Sequence, residues 1–184
     1  NEFRILCLPT GFAPYHDQKL DESQDLALKW LLKSSIKLDS KNDSKVVINL
    51  KVKGGYGQYF DYYKNLLNHP SVRILDESVS LIELFTKTDL VITTGSTASL
   101  EAATCHLPVI QIAPPYLLKK IIFVSGLPLA KTCDELESLM EEAIINSQDF
   151  YRRRCCNVKE ELADVDPAWD SIKKTSDWLI SLVT

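Results

Sequence analysis

The chain alternates short, almost wholly apolar runs with longer stretches in which apolar side chains recur every three to four positions. Residues 4–9 (Arg4-Ile-Leu-Cys-Leu-Pro9), 46–52, 72–75, 90–93 and 108–112 are the short runs. They are rich in β-branched residues and too short for helices. Little polar alternation interrupts them, so they predict strands buried on both faces. Residues 25–34, with Leu26, Leu28, Trp30, Leu31 and Leu32, predict a helix, and so do 59–68, 80–86 and 96–104. The polar stretch 35–45 reads as a loop. Beyond Pro114-Pro115 the pattern becomes irregular as far as Leu129, with a short strand expected at 121–124. Helices follow at 133–146 and 149–162. Asp166-Pro167 then has the form of a cap with proline at the first helical position. It opens a last helix striped by Trp169, Ile172, Leu179 and Leu182. Repeated strand-helix-strand units imply parallel pairing through right-handed crossovers. The expected architecture is a doubly wound, Rossmann-like α/β sheet forming a single domain over residues 1–184.

Composition narrows the function. With 184 residues, 45% hydrophobic and 25% charged, the chain has an ordinary globular balance. Twenty-one basic against 25 acidic residues give a net charge of −4, which argues against duplex nucleic acid as a partner. No apolar run approaches the roughly 20 residues of a membrane span. Cys7, Cys105, Cys133, Cys155 and Cys156 form an odd set without a Cys-x-x-Cys pair. That predicts reduced thiols, a cytoplasmic setting and no structural zinc. His16, His69 and His106 lack metal-ligand spacing. The chain opens on Asn1 and enters a core strand at Arg4, so we expect a piece of a larger protein with part of its active site elsewhere.

Ligands of open parallel sheets bind beyond the carboxyl ends of the strands. The richest such loop lies in Asp89-Leu-Val-Ile-Thr-Thr-Gly-Ser-Thr-Ala-Ser-Leu-Glu-Ala-Ala103. There a strand runs into Gly95-Ser96-Thr97 and a helix begins. Unpaired first-turn amides, a glycine that admits close approach and three hydroxyls (Ser96, Thr97, Ser99) suit a phosphate. Glu101, four residues after Thr97, shares its helix face and suits the two hydroxyls of a ribose. The plainer reading is an ordinary capped helix with a solvent-facing glutamate. A second loop, Lys51-Val-Lys-Gly-Gly-Tyr-Gly57, offers Lys51 and Lys53 to a diphosphate, or is merely a glycine turn beside an edge lysine. It matches neither the P-loop nor the Gly-x-Gly-x-x-Gly pattern. The tyrosines at 56, 59, 62 and 63 read as core packing with a polar rim, or as a stacking surface. The first loop, residues 9–17, carries Gly11 and His16. His16 is a weak candidate for acid-base work and more simply a surface residue. Arg152-Arg153-Arg154 reads as a solvated helix face, with contact to an anionic membrane surface as the alternative.

The segment Leu81-Ile-Glu-Leu-Phe-Thr-Lys-Thr-Asp-Leu-Val-Ile-Thr-Thr-Gly-Ser-Thr-Ala-Ser-Leu-Glu-Ala-Ala-Thr-Cys-His-Leu-Pro-Val-Ile110 resembles the donor-binding, C-terminal half of GT-B glycosyltransferases. Its flavour is nearest to bacterial capsule and lipopolysaccharide transferases of the Kdo type, with a likeness also to teichoic-acid glycerophosphotransferases. His106-Leu107 stands where the family has Gly-x before the proline. Lys51-Val-Lys53-Gly54 stands where some relatives have Lys-x-His-Pro. The resemblance implies a nucleotide-sugar substrate, held by Gly95, Ser96 and Thr97 at phosphate and by Glu101 at ribose. Lys51 or Lys53 would balance the leaving charge. It implies no cofactor and no bound metal. The acceptor, a glycan or lipid-linked molecule, and the catalytic base would be met by a further N-terminal domain, leaving the isolated chain inactive. Peripheral association with the inner membrane would fit that role. Transfer of phosphoglycerol or a phospho-polyol from a CDP-linked donor is an alternative, as is a non-catalytic nucleotide- or protein-binding domain.

Overall fold

The computed structural model describes residues 2–9, 17–41, 45–52, 57–75, 78–156 and 158, with backbone alone for 57–60. Six strands, all parallel, are β1 (Glu2–Leu8), β2 (Lys45–Lys51), β3 (Val72–Leu75), β4 (Leu90–Thr93), β5 (Val109–Ile112) and β6 (Leu129–Ala130). Their order is β3-β2-β1-β4-β5-β6. The helices are α1 (Gln18–Asp39), α2 (Gly57–Leu66), α3 (Leu81–Phe85), α4 (Ala98–Thr104), α5 (Pro115–Lys120), α6 (Cys133–Ile145) and α7 (Ser147–Arg154). The doubly wound, Rossmann-like α/β sheet expected from the sequence is the fold observed.

Burial accounts for the apolar strands. Ile5, Leu6, Cys7, Val46, Ile48, Leu50, Leu90, Val91, Ile92, Val109, Ile110 and Ile112 all lie inside. Right-handed crossovers take the chain leftward from β1 to β2 and rightward from β4 to β5, so α1 and α4 cover opposite faces. Fully burying a leucine or isoleucine side chain contributes about 1.5–3 kcal/mol. The sheet therefore dominates the fold's stability. Asp89 locks its centre: its carboxylate accepts the Arg4 amide (2.8 Å), and its own amide donates to the Arg4 carbonyl (2.9 Å).

Three segments differ from the sequence reading. Helix α1 starts earlier and ends later than 25–34. Asp17 caps it by accepting from the amides of Lys19 and Leu20, and it runs on to Asp39 through the segment that reads as a polar loop. Its inner face there is Leu31, Ser35 and Leu38, all buried, at spacings of four and three. Two serines against the core, Ser34 and Ser35, disguise that face. The run after Pro114 holds α5 and then β6 at Leu129–Ala130, and 121–124 is not a strand. Gln111, fully buried on β5, explains this. Its side-chain amide donates to the Val124 carbonyl (2.9 Å) and accepts from the Val124 amide (2.8 Å), satisfying that backbone without a ladder. Helix α7 begins two residues before the expected 149, at the Asn146 cap. Tyr151 of α7 crosses to α4, where its hydroxyl donates to the Ala103 carbonyl (3.1 Å). Helix α7 also stops at Arg154, capped by Cys155, and residues 155–156 form a turn where the sequence reading continues the helix toward 162; residues 157 and 159–162, like the expected helix opening at Asp166-Pro167 with the Trp169 stripe, lie outside the described residues.

None of the five cysteines is in a disulfide. No helix of the described residues is long and apolar enough to cross a membrane. Arg153 and Arg154 pair with Glu142, and Arg153 also with Asp149, as a solvated helix face does.

Candidate functional site

The strand order reverses between β1 and β4. From β1 the chain turns one way, to β2, and from β4 the other way, to β5. Leu8 at the end of β1 and Thr93 at the end of β4 are directly paired, so the two chains leave the sheet side by side. A crevice at such a switch point is where open α/β sheets take ligands. Its β4 wall is the turn of residues 94–97.

Gly95 has φ of 102°, a region closed to residues with a Cβ, and this bends the chain off β4. Ser96 folds inward. Its hydroxyl accepts from the Ala98 amide (3.3 Å), and its carbonyl accepts from the amide (3.1 Å) and hydroxyl (2.7 Å) of Ser99. Ser99 is thereby buried as a structural brace, and is not the ligand-facing hydroxyl that the sequence offered. The amides of Gly95, Ser96 and Thr97 make no hydrogen bond among the described residues. Thr97 is exposed, and its side chain makes no capping bond. Helix α4 has only seven residues, so its dipole adds little, and the turn itself is the polar feature.

Glu101 stands one turn further along the same face. Its tip reaches solvent, yet surrounding protein removes enough water to push its pKa above the ordinary carboxylate value. No donor among the described residues compensates this carboxylate. A partly desolvated carboxylate beside a turn of amides unpaired among the described residues makes this rim the candidate site. Beneath the turn, Thr93 is fully buried and its hydroxyl has no hydrogen-bond partner among the described residues.

Lys51 ends β2 at the same edge, with β1 between it and β4. Its ammonium donates to the Val79 carbonyl (2.6 Å), which ties down the connection leading into α3. Gly95, Ser96, Thr97 and Glu101 are therefore brought together, and Lys51 stands roughly 10 Å away across two strand spacings. Gly11, His16 and Lys53 lie outside the described residues. Of the tyrosines, Tyr63 is core, with Gln24 donating to its hydroxyl (3.2 Å). Tyr62 bonds Asp25.

The same rim holds a contact that the sequence does not announce. Tyr116, on the first turn of α5, donates to the carboxylate of Asp17 (2.9 Å), which also caps α1. That hydroxyl, with the α1 amides and Lys120 behind it, holds the Asp17 pKa below the usual carboxylate value. The two residues are 99 positions apart, and only a tyrosine just after a strand end hints at the pairing.

His106 lies just after α4. It adopts φ of 60° and closes α4. Its amide donates to Ala103 and that of Leu107 to Ala102 (both 3.1 Å), the paired bonds of a left-handed helix stop. The ring packs edge-on against Tyr151, with centroids 5.5 Å apart.

No protein-family model matches the chain, and no curated protein matches it. Solved structures do. The α,α-trehalose 6-phosphate synthase of Burkholderia multivorans superposes with a TM-score of 0.62 at 10% identity, over 99% of this chain and 43% of that one. The UDP-forming α,α-trehalose-phosphate synthase of Burkholderia xenovorans gives 0.59 at 9%, over 97% and 44%. HepE of Anabaena, solved with UDP and glucose, gives 0.51 at 16%, over 89% and 48%. The chain thus spans less than half the length of each, and at these identities the likeness is one of fold. The described strands, their order and their helices are those of a Rossmann-like half of the GT-B architecture.

Proposed function

We propose that this chain is the nucleotide-sugar-binding domain of a GT-B glycosyltransferase. The observation that carries the reading is the β4–α4 turn: three amides at the switch point, beside a partly desolvated Glu101, all without a partner among the described residues. The donor diphosphate would lie on the amides of Gly95, Ser96 and Thr97, with the Thr97 hydroxyl as a further donor. The ribose hydroxyls would donate to Glu101. As the sugar leaves, charge grows on the phosphate. Fixed amides pointing at that charge stabilise it without reorganising. Lys53, and Lys51 on release from Val79, would add positive charge, so the reading needs no metal and no cofactor. The structure of HepE with UDP and glucose supports a nucleotide-sugar as the ligand class. A second domain would supply the acceptor site and the base, and the chain alone would bind nucleotide without turnover. The acceptor would be a glycan or lipid-linked molecule of surface polysaccharide synthesis, such as capsule or lipopolysaccharide.

Calorimetric titration with UDP, CDP, CMP and GDP tests the reading. Thr97→Ala is the cleanest phosphate-side variant, because Thr97 makes no internal side-chain bond. Glu101→Gln should weaken a ribonucleotide by about 10- to 100-fold, the worth of hydrogen bonds to a charged group. It should barely affect the 2′,3′-dideoxy analogue. Equal loss for both would refute the ribose role. A marked preference for CDP would favour phospho-polyol transfer instead.

A further inference from the structure

Helix α4 starts at the candidate turn and carries Glu101 on its outer face, yet packing gives it little grip. Its inner face is Ala98, Ser99, Ala102, Ala103 and Thr104, all buried and none larger than threonine. Hydrophobic attachment scales with the apolar area removed from water, and these side chains offer little of it. A helix of seven residues makes about two turns and depends on its contacts. Among the described residues, the one hydrogen bond that reaches α4 from another helix comes from Tyr151 of α7, whose hydroxyl donates to the Ala103 carbonyl (3.1 Å). Two residues back, the Glu101 carbonyl accepts from the Cys105 amide (3.1 Å) and the Thr104 hydroxyl (2.8 Å). The residue that bears the carboxylate is thus bonded into the turn that Tyr151 grips. Tyr151 is itself firmly set. It is buried, its ring lies edge-on to His106, and its neighbour Phe150 is wholly inside. Its carbonyl accepts from the Cys155 amide (2.8 Å), and the Cys155 thiol donates to the Val109 carbonyl of β5 (3.6 Å). Burial pushes the Tyr151 pKa up to about 12, so the hydroxyl keeps its proton at neutral pH.

We propose that Tyr151 is a positioning residue: by fixing the end of α4 it aims Glu101 at the ribose of the bound nucleotide, without touching the ligand. This role rests on the nucleotide reading and adds α7 to the parts that serve the site. A misaimed carboxylate loses its bonds to the ribose, because hydrogen bonds weaken steeply away from their preferred angle. The turn at the other end of α4 keeps its own brace, the Ser99 hydroxyl on the Ser96 carbonyl. Loss of the Tyr151 hydroxyl should therefore be felt at the ribose and not at the phosphate.

The test titrates the 184-residue chain and its Tyr151→Phe variant with UDP, CDP and GDP, each against its 2′,3′-dideoxy analogue. The phenylalanine variant keeps the ring, and the Ala103 carbonyl keeps the His106 amide (3.1 Å). It should fold, with a Tm lower by about 2–4 °C, the worth of one hydrogen bond. Its preference for the ribonucleotide should fall about three- to tenfold, half of the Glu101→Gln loss on a logarithmic scale. In a Glu101→Gln background the same substitution should leave the preference unchanged. Asn146→Ala supplies the control. It removes the α7 cap, where the Asn146 side chain accepts the Asp149 amide (3.0 Å), at a similar expected loss in Tm, and should keep the parent's preference. An unchanged preference in Tyr151→Phe, equal weakening of ribo- and dideoxynucleotide, or the same fall in Asn146→Ala would overturn the proposal and leave the nucleotide reading standing. So would loss of the folding transition in Tyr151→Phe, because the hydroxyl would then hold the fold and not the carboxylate. A parent chain with no preference for any ribonucleotide would remove the ribose role of Glu101 itself, and the role of Tyr151 with it.

Discussion

Replacing His106 isolates a backbone cost that the side chain conceals. The residue sits at φ of 60°, where a Cβ crowds the following carbonyl and costs about 1–2 kcal/mol. His106→Gly would relieve that, but would also loosen the unfolded chain by about 0.4–1 kcal/mol. It would remove the ring from Tyr151 too, a contact worth about 0.5–1.5 kcal/mol. These contributions nearly cancel, so the single variant decides nothing. His106→Ala supplies the reference, because it removes the same ring and every other side-chain contact while keeping the Cβ. The glycine variant should therefore exceed the alanine variant by about 1 kcal/mol, or about 2–4 °C in Tm for a domain of this size. Urea unfolding followed by circular dichroism measures the difference, provided that both variants share one m-value. An alanine variant as stable as the glycine variant would refute the left-handed stop at the end of α4.

Glu101→Gln should stabilise the protein at neutral pH. Its folded pKa is raised, so ionisation opposes folding; the gain is present above that pKa and vanishes below about pH 4, where both states are protonated. Chemical unfolding across pH 3–8, taken as a difference from the parent, reads it; a gain that persists in acid would point elsewhere. Gln111→Glu should cost about 3 kcal/mol at neutral pH, because a buried carboxylate would face the Val124 carbonyl in place of a donor. Protonation restores a donor and raises the folded pKa, so the deficit should shrink as pH falls; a pH-independent deficit would contradict the bidentate contact. Thr93→Val keeps shape and removes a buried hydroxyl without a partner among the described residues, so it should stabilise by about 1 kcal/mol in the same assay. Loss of stability would mean that this hydroxyl has a partner.

The sheet was legible because a strand buried on both faces has nowhere to put polar residues, and residues 46–52 and 90–93 show it plainly. The length of α1 was hidden because Ser34 and Ser35 are buried against the core and hydropathy counts them as polar. Strand β6 has two residues, too few for any period, and the paired prolines that looked like a break stand at the entrance to α5. At the candidate site, the turn was readable because Gly95, Ser96, Thr97 and Glu101 are near neighbours in sequence. The Asp17–Tyr116 contact was not, because it joins residues far apart in the chain. Gln111 did carry a signal. A glutamine inside an apolar strand must find partners, and its position predicts a brace without naming Val124.

The central place of β1 has a consequence for synthesis. One flank of that strand is matched by β2, but the other waits for β4, whose Leu90 pairs with Ile5. At about 5–20 residues per second, the ribosome needs roughly 4–17 seconds to make the intervening chain. During that interval the edge of Ile5, Leu6, Cys7 and Leu8 stands open to any extended segment nearby. A codon change that slows translation between residues 50 and 90 would lengthen that exposure and should show first as aggregation of the nascent product, with the finished protein no less stable.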